Sequence, residues 1–353
     1  FPIYNILKEK YANEDILENI LSFNDTNNAR LEYVKSIYNY PYYQLNLLNE
    51  DFLKWETNEL FDLIVANPPY AKIQENGKRA SKNHNLIKDF VHKSLSLLKD
   101  NGYLLFITPD NWMSYADRNK LVIELNELQI IHLNIHTAKK KYFPKVGSSF
   151  TWYIVQKTPR FKNITVEGVW KDVYYESSVT SRDRKFIPQF YNSTIDSIFL
   201  KTIENDNLEK FNVQTSSDLH KYTKRDLIVV DKDTDHPYRL IHTPKQTVYA
   251  SRPHKYQEGY KVFISTTDRF GTTVDNCGMT QSIAFIRCSS KKEANLYKKI
   301  LDHKFYKFIN NVCRWGNFNN IRILQSFPIP ESYETLYHDL NLTEEEIQFI
   351  EDF

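Results

Sequence analysis

Glycine is scarce in this chain of 353 residues: it occurs eight times, and nowhere as Gly-x-Gly. The sequence therefore lacks a glycine-rich loop of the kind that lets bare backbone approach a bound ligand. Cysteine is scarcer still, and Cys277, Cys288 and Cys313 form no Cys-x-x-Cys pair. Three separate cysteines argue against a disulfide-rich secreted fold and a structural zinc site, and they indicate a reducing, cytoplasmic compartment.

Long apolar runs and a strong net charge are missing as well. No run approaches the roughly 18 residues that a membrane-spanning helix needs, so no membrane partner is expected. The net charge is only +2, so nucleic-acid binding would depend on a local basic surface. The ten histidines are scattered without metal-ligand spacing, so no metal is expected. The composition, 41% hydrophobic and 25% charged, is that of a globular protein with room for two domains.

The segment 62–70, which reads DLIVANPPY, is the most informative part of the sequence. Its apolar run, residues 63–65, predicts a short strand that is buried on both faces. The two prolines end that strand, because proline cannot continue a hydrogen-bonded ladder. Asn67 and Tyr70 should then lie at the carboxyl end of a strand, where open α/β sheets bind their ligands.

Helical and strand patterns alternate along the first half of the chain. Amphipathic spacing predicts the helices, and short apolar runs predict the strands between them. The predicted helices cover residues 2–12, 28–39, 86–98 and 117–126, and the predicted strands cover residues 20–23, 43–48, 63–65, 103–107, 130–135, 150–156 and 165–170. This alternation predicts an α/β fold built on a doubly wound parallel sheet.

The NPPY tetrapeptide from Asn67 to Tyr70 and the residues before it resemble a known family. NPPY occurs in several methyltransferases that act on amino or amide nitrogens, and DFLKW at residues 51–55 narrows the comparison. Together they resemble the gamma-type adenine-specific DNA methyltransferases of restriction–modification systems. The resemblance implies a Rossmann-like methyltransferase sheet, S-adenosylmethionine as cofactor and methyl transfer to N6 of a flipped adenine in double-stranded DNA. The resemblance also allows for a partner protein, a cognate restriction endonuclease that acts on the same DNA site.

The resemblance implies a catalytic set of Asn67, Pro68, Pro69 and Tyr70. The Asn67 side-chain oxygen and the Pro68 carbonyl would accept the two N–H bonds of the adenine amino group. Tyr70 would stack on one face of the flipped base. Phe143, in a segment 143–148 that fits the pattern F-P-x-x-x-S, would lie on the other face.

For the cofactor, the resemblance implies contacts from Asp25, Asp51, Phe52 and Asn67. Asp51 would accept a hydrogen bond from the amino group of the cofactor's adenine, and Phe52 would border that ring. Asp25 would accept both ribose hydroxyls, since one carboxylate can take two donors. Asp25 is equally well explained as a cap for the predicted helix 28–39, and the two roles are compatible.

In the family, a glycine-rich loop after the first strand binds the methionine part of the cofactor. The missing Gly-x-Gly pattern gives the expectation that the numbered sequence starts just after that loop and lacks the first strand. The alternative is a degenerate methylase that serves only as a DNA-binding module. An RNA or protein-glutamine methyltransferase is a further alternative, but roughly half of this chain lies beyond residue 176, which favours the DNA enzyme.

The second half departs from helix–strand alternation and resembles a DNA target-recognition domain. We predict a catalytic domain at residues 1–175, a recognition domain of mixed α+β structure at 185–332 and a C-terminal helix at 333–353. The recognition domain should hold strands at 226–230, 261–265 and 282–286 and a long helix at 294–312. The DNA-binding candidates are Lys139, Lys140, Lys141, Arg252, Lys255, Arg314, Asn317, Asn319 and Arg322.

Overall fold

The computed structural model describes residues 2–39, 41–70, 86–116, 120–137, 149–267 and 270–353. The chain divides into two compact units, Phe1–Leu104 and Leu105–Phe353. The predicted functional division, near residue 175, is a different boundary and stays a prediction. Within the described ranges, no helix is both long and apolar enough to cross a membrane.

Short helices and strands make up both units. The helices are α1 (Pro2–Leu7), α2 (Asn13–Asp15), α3 (Asn28–Ile37), α4 (Ile87–Leu97), α5 (Leu121–Glu127), α6 (Ser193–Lys201), α7 (Lys291–Leu301), α8 (Lys304–Cys313), α9 (Ile321–Gln325), α10 (Leu336–Asp339) and α11 (Glu344–Asp352). The strands are β1 (Ser22–Asn24), β2 (Asn46–Leu48), β3 (Phe61–Ala66), β4 (Leu98–Pro109), β5 (Leu128–Ile135), β6 (Phe150–Pro159), β7 (Ile164–Trp170), β8 (Val173–Val179), β9 (Gln214–Thr215), β10 (Ile228–Val229), β11 (Tyr238–Thr243), β12 (Gln246–Ala250), β13 (Lys261–Ser265), β14 (Thr272–Asp275), β15 (Gly278–Met279) and β16 (Ile283–Arg287).

In the first unit, β1 and β2 form a two-stranded parallel sheet, with Phe23 opposite Leu47. Both strands are shorter than predicted, and α1 covers only the first half of the predicted helix 2–12. None of the α1 residues is buried, so its apolar stripe does not enter a core. The helix α3 begins at Asn27, whose side-chain oxygen accepts a hydrogen bond from the Ala29 N–H at 3.0 Å.

The strand β3 forms as predicted, but the prediction that it is buried on both faces is wrong. Leu63 is 42% exposed and Val65 is 47% exposed. The cause is position: β3 is the end strand of its sheet, with β4 beside it and no further strand among the described residues on the other side. Between these two strands, the Lys99 ammonium lies 2.9 Å from the Asp62 carboxylate.

The strand β4 begins earlier than predicted. The sequence Asp100-Asn101-Gly102 predicts a helix stop, yet α4 ends at Leu97 and the strand runs on from Leu98. Asn101 adopts a positive φ of 64°, which Asn tolerates better than most residues. A side chain at Gly102 would place Cβ 2.9 Å from the Lys99 carbonyl oxygen, so close backbone approach requires glycine at this position.

The large sheet in the second unit follows the order β4-β6-β5-β7-β8. β5 runs antiparallel to β6 and parallel to β7, and β8 returns antiparallel to β7. The expectation of an α/β methyltransferase-type sheet is confirmed, but the sheet is mixed rather than wholly parallel. The fully buried side chains of Leu133, Tyr153, Val155 and Val166 form its core, and α5 buries Leu121, Val122 and Leu125.

The second half contains two further four-stranded sheets, ordered β10-β12-β11-β15 and β14-β13-β16-β9. The predicted strands at 261–265 and 282–286 appear as β13 and β16, which pair antiparallel. The strand predicted at 226–230 is shorter in the structure, where it consists of β10 alone. The main apolar core of this half joins β13 and β16 to α6, α8 and the C-terminal segment.

The prediction of a single long helix at 294–312 is wrong. The chain forms two helices in this region, α7 and α8, which are separated by Asp302 and His303. His303 has an extended backbone conformation, and its ring nitrogen accepts a hydrogen bond from the Phe305 N–H at 3.2 Å. The His303 side chain therefore caps a new helix at a point where the apolar pattern alone predicts one continuous helix. Phe305, Phe308 and Ile309 of α8 are buried in the core.

The C-terminal helix α11 starts with a capping box, which the sequence Thr343-Glu344-Glu345-Glu346 predicts. The Thr343 N–H donates to the Glu346 carboxylate at 2.8 Å, and the Thr343 hydroxyl accepts from the Glu346 N–H. Glu346 also accepts hydrogen bonds from Ser197 at 2.6 Å and Lys201 at 2.7 Å. These bonds fasten α11 to α6, so the C-terminal helix belongs to the core of the second unit.

Candidate active site

The turn from Asn67 to Tyr70 directly follows β3. The Tyr70 hydroxyl donates a short hydrogen bond to the side-chain oxygen of Asn67, and the Tyr70 carbonyl accepts from the Leu86 N–H at 3.1 Å. Pro68 is buried, whereas Asn67 and Pro69 are exposed. The rigid turn thus presents a carboxamide to solvent and fixes its orientation through the neighbouring phenol.

Tyr70 acts in this turn as a hydrogen-bond donor. Burial raises the pKa of Tyr70 above its ordinary value, so its hydroxyl stays protonated at physiological pH. An amide oxygen has two acceptor positions. With one occupied by Tyr70, the Asn67 oxygen keeps a second acceptor position in a known direction.

The carboxyl ends of β1 and β2 lie side by side and are tied together by reciprocal bonds. The Asn49 side-chain amide donates to the Asp25 carbonyl at 2.9 Å, and the Asp25 N–H donates to the Leu48 carbonyl at 3.1 Å. The Asn24 side-chain amide reaches the Glu50 carbonyl at 3.2 Å. Parallel pairing therefore brings Asp25 and the segment that leads to Asp51 to one edge of this small sheet.

The Asp25 carboxylate is already engaged at the start of α3. One oxygen accepts from the Asn27 N–H at 2.8 Å, and the other lies 2.9 Å from the Arg30 guanidinium. The cap of α3 is Asn27, so Asp25 supports the helix start without being its cap. A carboxylate has about four acceptor positions, so two bonds leave capacity for a further donor.

Asp51 and Phe52 lie just beyond β2. One Asp51 oxygen accepts from the Leu53 N–H at 3.1 Å, and the other lies 3.7 Å from the Lys54 ammonium. The Phe52 ring stacks on Phe90 of α4, with centroids 5.8 Å apart and planes within 3°. Phe90 thereby holds the Phe52 ring in one orientation next to a partly exposed carboxylate.

Among the DNA-binding candidates, Arg252 and Lys255 are organised by one carboxylate. The Arg252 guanidinium lies 2.9 Å from Asp218, and the Lys255 N–H donates to the same carboxylate at 2.8 Å. The hydrogen bond from Arg252 holds the pKa of Asp218 below its ordinary value. Arg252 is therefore partly neutralised, whereas the Lys255 ammonium lies 4.9 Å from the centroid of the Tyr256 ring.

The other candidates in the second half lie between α8 and α9 or in α9 itself. The Arg314 guanidinium donates to the Asn317 carbonyl at 2.7 Å, and Arg322 donates to the Gln325 side chain at 3.0 Å. Asn319 is only 3% exposed and donates to the Ser265 carbonyl at 2.7 Å. Asn319 therefore has a structural role, because its buried side chain ties its own segment to the backbone at Ser265. The remaining candidates, Lys139, Lys140, Lys141 and Phe143, lie outside the described residues.

Sequence reasoning missed Arg287, which ends β16. Its guanidinium lies 5.7 Å from the centroid of the Tyr256 ring, on which Lys255 also rests. Two cations thus share one aromatic ring and form a local basic surface. In the sequence, Arg287 is marked only as a cation one residue beyond a predicted strand. Its contact with Tyr256 could not be predicted, because that contact depends on tertiary structure.

Comparisons with known proteins show which families this chain resembles. A sequence model described as the Eco57I restriction-modification methylase matches residues 5–143. Modification methylase CviBIII of Paramecium bursaria Chlorella virus NC1A is 31% identical over 170 residues, which are 46% of this chain and 40% of that protein. A Mycoplasma pneumoniae protein described as an uncharacterized adenine-specific methylase is 26% identical over 62% of this chain and 54% of its own length.

A solved structure shows the same fold over a longer part of the chain. The Type IIL restriction-modification enzyme MmeI, solved in complex with DNA, superposes with a TM-score of 0.50 at 8% identity and covers 82% of this chain and 50% of that one. The chain spans about half the length of the two methylases that it matches by sequence. By sequence, residues 5–143 are similar to the Eco57I restriction-modification methylases.

Proposed function

We propose that this chain forms part of a site-specific DNA methyltransferase that transfers a methyl group from S-adenosylmethionine to N6 of an adenine. The observation that carries the proposal is the turn after β3. It presents the Asn67 carboxamide with its orientation fixed by Tyr70, within the segment that matches the methylase family. The adenine specificity in the name of the Mycoplasma pneumoniae relative supports the choice of base.

The residues present fit the adenosine half of the cofactor. Ribose hydroxyls and an adenine amino group are hydrogen-bond donors, and Asp25 and Asp51 place carboxylate acceptors beyond neighbouring strand ends. The Phe52 ring, held by Phe90, supplies an apolar edge beside Asp51. When bound, the cofactor supplies an electrophilic methyl group on a sulfonium.

Asn67 and Pro68 would prepare the nucleophile. The lone pair of the adenine amino group is delocalised into the ring, so the free base is a poor nucleophile. The Asn67 side-chain oxygen and the Pro68 carbonyl would accept its two N–H bonds and favour a tetrahedral nitrogen with a localised lone pair. These interactions strengthen as the nitrogen gains positive charge, so they serve the transition state more than the ground state.

Tyr70 would hold the adenine ring by stacking while its hydroxyl keeps Asn67 oriented. Phe143 is proposed for the opposite face of the base. Sequence choice is assigned to the second half, where Lys255 and Arg287 surround Tyr256 and Arg314 stands in a loop. A restriction endonuclease acting on the same site is the proposed partner.

The test is a methylation assay on the intact natural protein. The protein is incubated with labelled S-adenosylmethionine and, separately, with double-stranded DNA, RNA and a glutamine-containing peptide, and nucleoside products are identified by mass spectrometry. The proposal expects N6-methyladenine from DNA alone. Label in RNA or the peptide would move the chain to a different substrate class. DNA binding with no methylated product and no cofactor binding would identify a degenerate methylase that only recognises DNA.

A further inference from the structure

A cleft of about 280 Å³ opens at the surface of the second unit, where β16 ends. The half-buried Tyr256 ring lines this cleft. The exposed head groups of Lys255 and Arg287 lie 4.9 Å and 5.7 Å from the centroid of that ring. The other lining residues are His254, Gln257 and Glu258. We call this feature the Tyr256 cleft.

The segment 254–259, which forms most of the Tyr256 cleft, is held in one conformation. The His254 ring accepts a hydrogen bond from the Tyr256 N–H at 2.9 Å, and the Gln257 N–H donates to the His254 carbonyl at 2.8 Å. The Tyr256 ring also packs against Phe285 of β16, with the ring centroids 5.1 Å apart. The cleft is therefore formed before a ligand arrives, which lowers the entropic cost of binding.

A third cation lies next to the cleft. Lys261 is only 1% exposed, and its ammonium donates to the Glu258 carbonyl at 2.8 Å and to the Gly259 carbonyl. Lys261 is the partner of Arg287 across the β13–β16 ladder. Burial lowers the pKa of Lys261 below its ordinary value, and the Arg287 charge also lowers it. Among the described residues, none of the three cations forms an ion pair with a carboxylate.

The acids in this region do not neutralise the three cations. Asp218 pairs with Arg252 at 2.9 Å, and Asp275 pairs with Arg239 at 2.7 Å. Glu258 lines the cleft with an exposed side chain, but its carboxylate forms no ion pair with a described cation. An anion in the cleft would therefore supply the negative charge that these residues lack. A phosphate diester is the anion that double-stranded DNA offers along its whole length.

We propose that the Tyr256 cleft binds a backbone phosphate of the DNA, with Arg287 as the donor. This inference rests on the proposed function for its ligand, but it requires only DNA binding and not methyl transfer. The planar guanidinium matches two phosphate oxygens, and the Tyr256 ring supports it. Base edges carry no net charge, so uncompensated positive charge favours a phosphate over a base. The phosphate contact sets the register of the DNA on the second unit, and Lys255 is left to read an adjacent base edge.

The experiment compares Arg287→Gln and Glu258→Gln with the matched control Lys162→Gln. Lys162 is also exposed, and its ammonium lies 5.5 Å from the centroid of the Phe161 ring, outside the cleft. Fluorescence anisotropy measures the affinity of the intact natural protein for two duplexes. One is the duplex that the wild type selects from a random pool, and the other has the same composition in scrambled order. A series of salt concentrations gives the slope of log K against log salt, which counts phosphate contacts.

Arg287→Gln should reduce the salt slope by about one and weaken binding to both duplexes by the same factor, on the order of tenfold at low salt. Glu258→Gln should strengthen binding to both duplexes by about two- to threefold, because it removes a carboxylate that repels phosphate. Lys162→Gln should change neither the slope nor the affinity. An unchanged slope in Arg287→Gln, or a loss confined to the selected duplex, would overturn the phosphate site.

The failure of this inference is distinguishable from the failure of the proposed function. If the wild type binds DNA but methylates none, the proposed function fails, and the salt slopes still decide the phosphate site. If the protein is an active methylase and Arg287→Gln keeps the full slope, the inference alone fails. A wild type that binds no DNA overturns both. Should Arg287→Gln not fold, Glu258→Gln decides in its place, since weaker or unchanged binding would overturn the proposal.

Discussion

The Tyr70 hydroxyl donates a hydrogen bond to the Asn67 side-chain oxygen, so two residues three positions apart act as one unit. The phenol fixes the amide, and in the proposed mechanism the ring stacks on the flipped base. This separates the two roles of Tyr70, since the bond needs the hydroxyl and the stacking needs only the ring.

Replacing Tyr70 by Phe should therefore be milder than replacing it by Ala. Tyr70→Phe keeps the ring and loses the donor, and we expect kcat within about tenfold of the wild type. Tyr70→Ala loses both, and we expect a further loss of about ten- to a hundredfold, because base stacking on an aromatic is worth about 1–3 kcal/mol. Single-turnover methylation measures both. Equal losses in the two variants would show that the hydrogen bond, and not the ring, is the main contribution.

Asp51→Ala should weaken cofactor binding and leave DNA binding intact. A carboxylate that accepts from the cofactor contributes a charged hydrogen bond, so the Kd for S-adenosylmethionine should rise about ten- to a hundredfold. Calorimetry on the intact protein measures this, with the exposed Glu59→Ala as a carboxylate control in the same unit. An unchanged cofactor Kd would remove Asp51 from the cofactor site.

His254 makes stability depend on pH. Its Nδ1 accepts from the Tyr256 N–H at 2.9 Å, so the neutral ring carries its proton on Nε2, which lies 2.9 Å from the Ser216 hydroxyl. Burial lowers the pKa of His254 to about 4 from an ordinary 6.5. Between these values the unfolded chain binds a proton that the folded chain does not. The contribution of His254 to the free energy of unfolding is therefore complete above pH 6.5 and declines as pH falls toward 4.

The change should amount to on the order of 2 kcal/mol across that window. Urea unfolding at about pH 7 and about pH 4.5 measures it, and the difference between the two should be smaller in His254→Gln than in the wild type. The exposed His338→Gln serves as a control and should retain the wild-type difference. An NMR titration of His254 with a midpoint near its ordinary value of 6.5 would contradict the account.

Exchanging residues 185–332 for the corresponding segment of a relative with another target should change the methylated sequence. The reason is that a flipped adenine looks the same whatever its neighbours, so the catalytic pocket does not read them. Neighbouring bases are read by side chains in a groove, for which this segment supplies Arg314, Asn317 and Lys255. Sequencing of methylated DNA measures the outcome. A folded chimera that still modifies the original site would assign recognition to the first part of the chain.

Local sequence was sufficient for some features and not for others. The turn at Asn67 and the capping box at Thr343 depend on residues within a few positions, so they could be predicted. The exposure of Leu63 could not, because it depends on which strands lie beside β3. The helix break at His303 was missed because histidine is not among the preferred caps. The burial of Asn319 could not be predicted either, because its side chain donates to the carbonyl of Ser265, which is distant in the sequence.

The most direct test of the central claim is Asn67→Ala. Because the amide would act on the charge that develops at N6, its loss should reduce single-turnover methyl transfer by on the order of a hundredfold or more. DNA and cofactor affinity, measured on the same preparation, should stay within about threefold. The exposed Asn58→Ala is the matched control and should retain activity. Near-normal methyl transfer by Asn67→Ala would contradict the proposed mechanism.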